Sequence, residues 1–193
     1  MFAAPLFSFG FSVDVWLPAC GALTAFCLVS SAIYLLNDSL DVEADKQHPR
    51  KRYRPIAAGL VSVPMALTTA ALLAIISMSL AAAVSASLAG AILAYGLIQV
   101  GYCFRLKREP LLDLFCIAFG FLLRAIAGGL ASALVISPWF LLTVGLLALF
   151  LAVEKRKAEL QIALVRGVMT REVLNRYSLP LLLRLEGLVA TSA

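Results

Sequence analysis

The chain has 193 residues, 62% of them hydrophobic and only 14% charged, and a mean hydropathy of +0.97. Soluble domains run at roughly 45–50% apolar and about 25% charged, so a soluble globular fold is excluded, and because the apolar excess recurs along the whole chain it is not the mark of a cleaved signal peptide. The net charge of +5 does not indicate nucleic-acid binding: the 16 Lys and Arg cluster between apolar runs, as in the cytoplasmic loops of membrane proteins.

Crossing about 30 Å of hydrocarbon takes roughly 20 residues of helix, and the charges divide the sequence into runs of that size. Residues 1–10 are apolar but short, the expected remainder of an earlier helix. Val15–Asn37 carries no charge and is long enough for one span, with Trp16 at interfacial depth. The uncharged run from Pro55 to Phe104 would reach about 75 Å as one helix. It must fold back, and a turn near Ser85–Ser87 predicts helices over 62–83 and 87–104. Leu111–Ala133 forms a fourth span, and Ser137–Val153 a fifth, opened by the helix-start pair Ser137 and Pro138. A sixth run begins near Leu179 and meets the end of the sequence. The four cysteines, Cys20, Cys27, Cys103 and Cys116, form no Cys-x-x-Cys pair and read as small buried hydrophobes.

Alternating these spans places the basic segments, about 38–59, 105–110 and 154–178, on one side, which the positive-inside rule makes cytoplasmic. No strand pattern or fixed repeat is present. The expected architecture is all-α: residues 1–193 form a single integral membrane domain, a polytopic transmembrane helical bundle of five complete helices with partial ones at either end. It would sit in the inner (plasma) membrane with its active site on the cytoplasmic side.

The chemistry concentrates where the first span ends, at Asn37, Asp38, Asp41 and Asp45. At 100° per residue, Asp41 and Asp45 lie about 60° and 20° from Asp38, so three carboxylates share a face while Glu43 points away. Two readings stay open: a solvated helix end, or a site for a hard cation such as Mg2+. The spacing is not that of an EF-hand. Lys46, Arg50, Lys51, Arg52 and Arg54 follow at once. They read either as an ordinary cytoplasmic anchor or, with the carboxylates, as a metal-bridged diphosphate site whose cations grip the remaining phosphate oxygens. His48, the single histidine, precedes Pro49 and is expected to form a turn rather than bind metal.

Arg124 lies eleven residues beyond Asp113, about 16 Å along a helix, too deep for an interface anchor. An intramembrane Arg faces a cavity or a partner. Contact with a lipid phosphate or the reacting groups, and structural pairing inside the bundle, are equally open. Asp113 is placed at a helix start, where a carboxylate favours the dipole. Gly128 and Gly129 are expected to permit close helix approach. Lys155, Arg156 and Glu159 form either a phosphate-binding patch or part of an amphipathic helix with Lys155 paired to Glu159.

The run Asn37-Asp38-x-x-Asp41-x-x-x-Asp45 resembles the first aspartate-rich motif of the UbiA-type intramembrane prenyltransferase superfamily. Its continuation, His48-Pro49-x-Lys51-x-x-Arg54-Pro55-Ile56-Ala57-Ala58-Gly59, is similar to the decaprenyl-phosphate phosphoribosyltransferase branch. So are Tyr102-Cys103-Phe104-Arg105-Leu106-Lys107, the stretch from Gly120 to Gly129, Ser137-Pro138-Trp139-Phe140, and Lys155-Arg156-Lys157-Ala158-Glu159-Leu160. The resemblance covers nearly the whole chain. It implies transfer of the 5-phosphoribosyl group from phosphoribosyl diphosphate to a polyprenyl (decaprenyl) phosphate, with Mg2+, for the supply of arabinose donors to a cell envelope. By the same resemblance Asp38, Asp41 and Asp45 hold Mg2+ against the leaving diphosphate with Asn37 in support. Lys51 and Arg54 bind phosphate oxygens, and Tyr102 and Lys107 close the pocket. The superfamily's second aspartate-rich motif is absent; Glu154 to Glu159 stand in its place. The competing expectations are a prenyltransferase acting on an aromatic or quinone precursor, and a truncated, non-catalytic membrane protein.

Overall fold

In a computed structural model, which describes residues 2, 5–6, 12–166 and 172–192, the chain is built from α-helices and short 3-10 turns, with no strand among those residues. The helices are α1 (Val13–Leu40), α2 (Val42–Gln47), α3 (Val63–Val84), α4 (Ala86–Phe104), α5 (Leu112–Ala131), α6 (Pro138–Arg166) and α7 (Leu179–Ser192). Five of them, α1 and α3 to α6, are long and apolar enough to cross a membrane. This is a multi-pass membrane protein. The expected partial helix within residues 1–10 lies largely outside the described residues.

The fold-back between α3 and α4 is made by Ser85 alone. It adopts extended backbone, and its Oγ accepts the Leu88 N–H at 3.0 Å. A single capping residue suffices because the serine hydroxyl supplies what the new helix's first turn lacks. Ser62 opens α3 in the same way, accepting from Met65 N. Helix α5 closes in a Schellman turn: Ala133 has φ 52°, and Leu134 N donates to Gly129 O at 3.0 Å. Gly129 therefore admits the returning chain rather than a neighbouring helix, since a Cβ there would lie 2.4 Å from Ile136.

Helix α1 is the hub, packing along α3, α4 and α5, while α6 packs on α5 and α7 on α6. The first core, around Ala22, Ala25, Phe26, Ala81, Ala91, Ile92 and Ala127, is rich in alanine, which lets backbones approach where lipid provides no hydrophobic drive. Ser77, fully buried, donates to Ala25 O at 2.7 Å and ties α3 to α1. A second core joins Leu114 of α5, Val153 and Leu160 of α6, Val173, Leu174 and Tyr177 of the following segment, and Leu182 of α7. Side chains such as Leu72, Ile75, Leu97 and Leu151 face outward, as the bilayer requires.

Three expectations need correction. The segment 154–178 is not all loop, because α6 runs 29 residues to Arg166, about 44 Å, and its charged stretch is supported by ion pairs to neighbouring helices. The segment 38–59 likewise begins as helix, broken only at Asp41. Cys20 and Cys27 are exposed on the outer surface of α1, whereas Cys103 and Cys116 are buried. A cysteine is apolar enough for lipid contact, so burial inside the protein was not required. The sixth run, α7, spans 14 residues, about 21 Å, and lies against α6.

Replacing Gly129 with Ala should lower the unfolding temperature, at a cost of about 1–3 kcal/mol for overpacking against Ile136. Gly145→Ala, where a Cβ would meet nothing within 4 Å, should leave it unchanged or raise it. Thermal unfolding of the two variants in detergent compares them directly.

Candidate functional site

A cavity of about 700 Å3 opens between α1, α2, α4, α5 and α6. Its walls hold Asn37, Asp38, Asp41, Asp45, Lys51, Arg54, Tyr102, Lys107, Arg124, Lys155 and Arg156; Glu159 is tied to it through Arg156. Helix α1 ends at Leu40 and the chain restarts as α2 after Asp41, yet the angular phase survives the break. Asp38, Asp41 and Asp45 all face the cavity, while Glu43 is exposed and paired with Lys46 at 2.8 Å.

Two of the three carboxylates converge on one cation, and the third is held by another. Arg54 Nη1 donates to Asp38 Oδ1 at 2.7 Å and to Asp45 Oδ2 at 2.8 Å, locking α2 against the end of α1. Lys51 adds a longer ion pair, 3.6 Å, to the buried Asp45. Lys107, carried on a 3-10 turn after α4, reaches across to Asp41 at 2.6 and 2.7 Å and to Asn37 Oδ1 at 3.2 Å. The mutual repulsion expected of three aspartates is thus relieved by side-chain cations, and among the described residues no three His, Cys, Asp or Glu groups are spaced to cage a metal. The donor chemistry still fits Mg2+, an ion that takes hard oxygens, keeps several waters and is usually held by one or two carboxylates plus substrate phosphates. A closed three-carboxylate cage is not demanded.

His48 shapes the loop between these groups. Its Nδ1 accepts the N–H of both Arg50 and Lys51 at 3.2 Å, the turn role expected of it. Burial, reinforced by the Lys51 cation, lowers its pKa, and two donors aimed at the same lone pair likewise favour the neutral ring.

At the opposite wall the sequence reading missed an anchor. Asp113 is fully buried. It accepts from Arg156 Nε at 2.5 Å, Arg156 Nη2 at 2.8 Å and the Tyr102 hydroxyl at 2.9 Å, and Arg156 also pairs with Glu159. Helices α4, α5 and α6 are joined through one carboxylate. Arg156, Glu159 and Tyr102, expected as substrate contacts, are therefore engaged in this network, and the Lys155–Glu159 pairing expected along the helix is replaced by Arg156–Glu159; Lys155 lines the cavity with its side chain exposed. Just before α5, Leu111 holds a positive φ of 67° and donates its N–H to the Tyr177 hydroxyl at 3.1 Å. Burial pushes the Tyr177 phenol up.

At the cavity's inner end Arg124 faces the cavity and polar partners, as expected of an intramembrane arginine, but its neighbours Ser30, Tyr95 and Gln99 went unread. Arg124 Nη2 donates to the Tyr95 hydroxyl at 2.8 Å and Ser30 Oγ at 3.3 Å, and Nη1 donates to Gly120 O at 3.0 Å. Gln99 lines the same region. Tyr95, Gln99 and Tyr102 stand at i, i+4 and i+7 in an otherwise apolar helix, a polar stripe that would have pointed to this wall.

The sequence profile described as the UbiA prenyltransferase family matches residues 1–163. The chain is 43% identical over 181 residues to decaprenyl-phosphate phosphoribosyltransferase of Mycolicibacterium smegmatis, covering 91% of this chain and 57% of that protein. It is 44% identical over 174 residues to decaprenyl-phosphate phosphoribosyltransferase of Corynebacterium glutamicum, covering 89% and 52%. The chain thus spans little more than half the length of these relatives. The solved structure of a UbiA homologue from Archaeoglobus fulgidus bound to GPP and Mg2+ matches with a TM-score of 0.77 at 20% identity, over 94% of this chain and 65% of that one, a likeness of fold.

Arg156→Ala leaves the buried Asp113 without its counter-charge, only the Tyr102 hydroxyl remaining on it, and should destabilise the protein by about 3–5 kcal/mol, whereas Lys155→Ala, on an exposed side chain, should fall within about 0.5 kcal/mol of the parent; thermal unfolding reads both. A base whose folded pKa is depressed stabilises the protein above its unfolded value, about 6.5 for His, and that contribution is lost as pH falls through the folded value. His48 should therefore titrate below the free-histidine value in NMR of its ring protons, and His48→Ala should remove the corresponding fall in stability on the acid side of pH 6.5.

Proposed function

Since the chain belongs to the UbiA prenyltransferase family, we propose that it transfers the 5-phosphoribosyl group of phosphoribosyl diphosphate to a polyprenyl phosphate, releasing diphosphate. The reaction takes place at the cytoplasmic face of the inner membrane, at the charged end of the cavity. The observation that carries this reading is the cluster of three aspartates interleaved with Lys51, Arg54 and Lys107 on one cavity wall. It is supported by the 43% identity to a phosphoribosyltransferase of the same resemblance.

The chain's own groups divide the work. Arg54, Lys51 and Lys107, already held at the cavity wall by carboxylates, transfer donor hydrogen bonds to the oxygens of the diphosphate, where three cationic side chains favour a polyanion. A bound Mg2+ supplies charge neutralisation on the departing diphosphate, and Asp38, Asp41 and Asp45, with Asn37 beside them, are the residues that would hold it. Substitution at the anomeric carbon develops negative charge on the leaving oxygen, and preorganised cations are worth most in such a site. The acceptor phosphate is already an anion and needs no general base. That agrees with a chain whose one histidine has its Nδ1 committed to the loop backbone. The apolar outer faces of the helices leave the isoprenoid tail in lipid while the headgroups meet in the cavity.

The decisive assay incubates membranes carrying the protein with labelled phosphoribosyl diphosphate, a polyprenyl phosphate and Mg2+, and follows label into the lipid phase. An isoprenyl diphosphate offered with an aromatic acceptor tests the prenyl-transfer alternative in parallel. Asp41→Asn and Asp38→Asn should lower the transfer rate about 100-fold or more, and Glu43→Gln, on the outer face, should stay within about twofold. Undiminished transfer in the aspartate variants overturns the assignment of the cluster.

A further inference from the structure

Among the cavity's cations other than the exposed Arg108 and Lys155, Arg124 is distinguished by its company. Lys51, Arg54 and Lys107 each touch a carboxylate and Arg156 touches two. Arg124 touches none among the described residues: its partners are the Gly120 carbonyl, the hydroxyls of Ser30 and Tyr95, and the faces of the Tyr95 and Phe121 rings at 4.8 and 5.8 Å. Ser30 precedes Asp38 by eight residues on the same continuous helix, so this group sits about 12 Å further into the membrane than the first aspartate. A positive charge at that depth is expensive unless it meets a partner.

The neutral contacts position the guanidinium and leave it capacity. Three of its five N–H donors are used, so two remain. Ser30 and Tyr95 also bond each other at 3.2 Å; one hydroxyl proton is spent there and the other is available to an acceptor. Beside them Gly120 lets these groups close in on the α5 backbone: a Cβ at this position would lie 3.1 Å from the Gln99 side-chain amide and 3.4 Å from Arg124 Nη1. Donors from α1, α4 and α5 therefore line this end of the cavity together, with no acid among them.

The geometry points to a phosphomonoester subsite at this inner end of the cavity, bound by Arg124 with Gln99, Ser30 and Tyr95, and distinct from the aspartate end. Naming its occupant rests on the proposed reaction, which contains two such groups: the phosphate of the lipid acceptor and the 5-phosphate of the donor sugar. Depth favours the lipid. Ile33, Ile117 and Phe121 line the same cavity and suit the first isoprene units, whereas a sugar phosphate would leave water for an apolar surround.

The test is equilibrium binding to the purified protein in neutral phosphatidylcholine nanodiscs, without donor or Mg2+, using farnesyl monophosphate, farnesol and ribose 5-phosphate. Farnesyl monophosphate should bind more tightly than farnesol, and Arg124→Gln should weaken it at least tenfold while farnesol is unaffected. Arg124→Lys, which keeps the charge, should recover part of the loss. Gly120→Ala, whose Cβ would press on Gln99 and Arg124, should weaken the monophosphate too while leaving farnesol binding unchanged, an outcome a purely structural Arg124 would not give. A tenfold loss confined to ribose 5-phosphate supports the subsite and assigns it to the sugar. Equal affinity of parent and Arg124→Gln for both monophosphates overturns it. Because no donor is present, failure of phosphoribosyl transfer leaves this readout intact.

Discussion

Asp113 and Arg156, both buried, face each other across α5 and α6 through two hydrogen bonds. Neither charge is tolerable there alone, since an uncompensated buried ion costs several kcal/mol, so each fixes the place of the other. Tyr102 brings α4 to the same carboxylate and Glu159 completes the arginine. Below this knot Leu114 and Val153 belong to one core with Val173, Leu174 and Tyr177, and the Tyr177 hydroxyl holds the strained Leu111 that launches α5. Three of the walls around the cavity therefore depend on one ion pair.

The facing wall is built on a different principle. Arg54, Lys51 and Lys107 are bound to carboxylates that they do not fully neutralise for good, because every one of these pairs keeps some contact with the cavity. Partial exposure weakens such pairs relative to buried ones. An arriving polyanion can take over the cations and an arriving divalent ion the carboxylates, with little rearrangement of the backbone. One wall is locked so that the other can exchange partners.

The spans were legible because hydrocarbon imposes a length and excludes charge: the fold-back at Ser85 and the five crossing helices follow from run lengths alone. The face shared by Asp38, Asp41 and Asp45 was also legible, since the break at Asp41 is too slight to disturb a 100° step and Glu43 does point outward. What periodicity could not supply was partnership. Asp113 and Arg156 lie 43 residues apart and Lys107 and Asp41 lie 66 apart, and no local pattern says which charge will find which. For that reason Arg156 and Glu159 could be read as a phosphate patch or as part of an amphipathic helix, while their tie to Asp113 stayed hidden. The extent of α6 was hidden similarly, because its charges mark the end of hydrocarbon and not the end of helix.

The cavity also carries an order of charge along its depth. Its outer end gathers acids that need cations, and its inner end holds one cation that meets only neutral groups. A single polyanion would be attracted to the second and repelled by the acids of the first unless a metal accompanied it. Two anions of unequal character, one metal-bound and one bare on a lipid, would satisfy both ends together. Helix α1 supplies Ser30 to one end and Asp38 to the other, so the distance between the ends is set by helical rise and not by loops. A rigid spacing of this kind serves a reaction in which two headgroups must be held in register, because orientation removes the entropy of bringing them together.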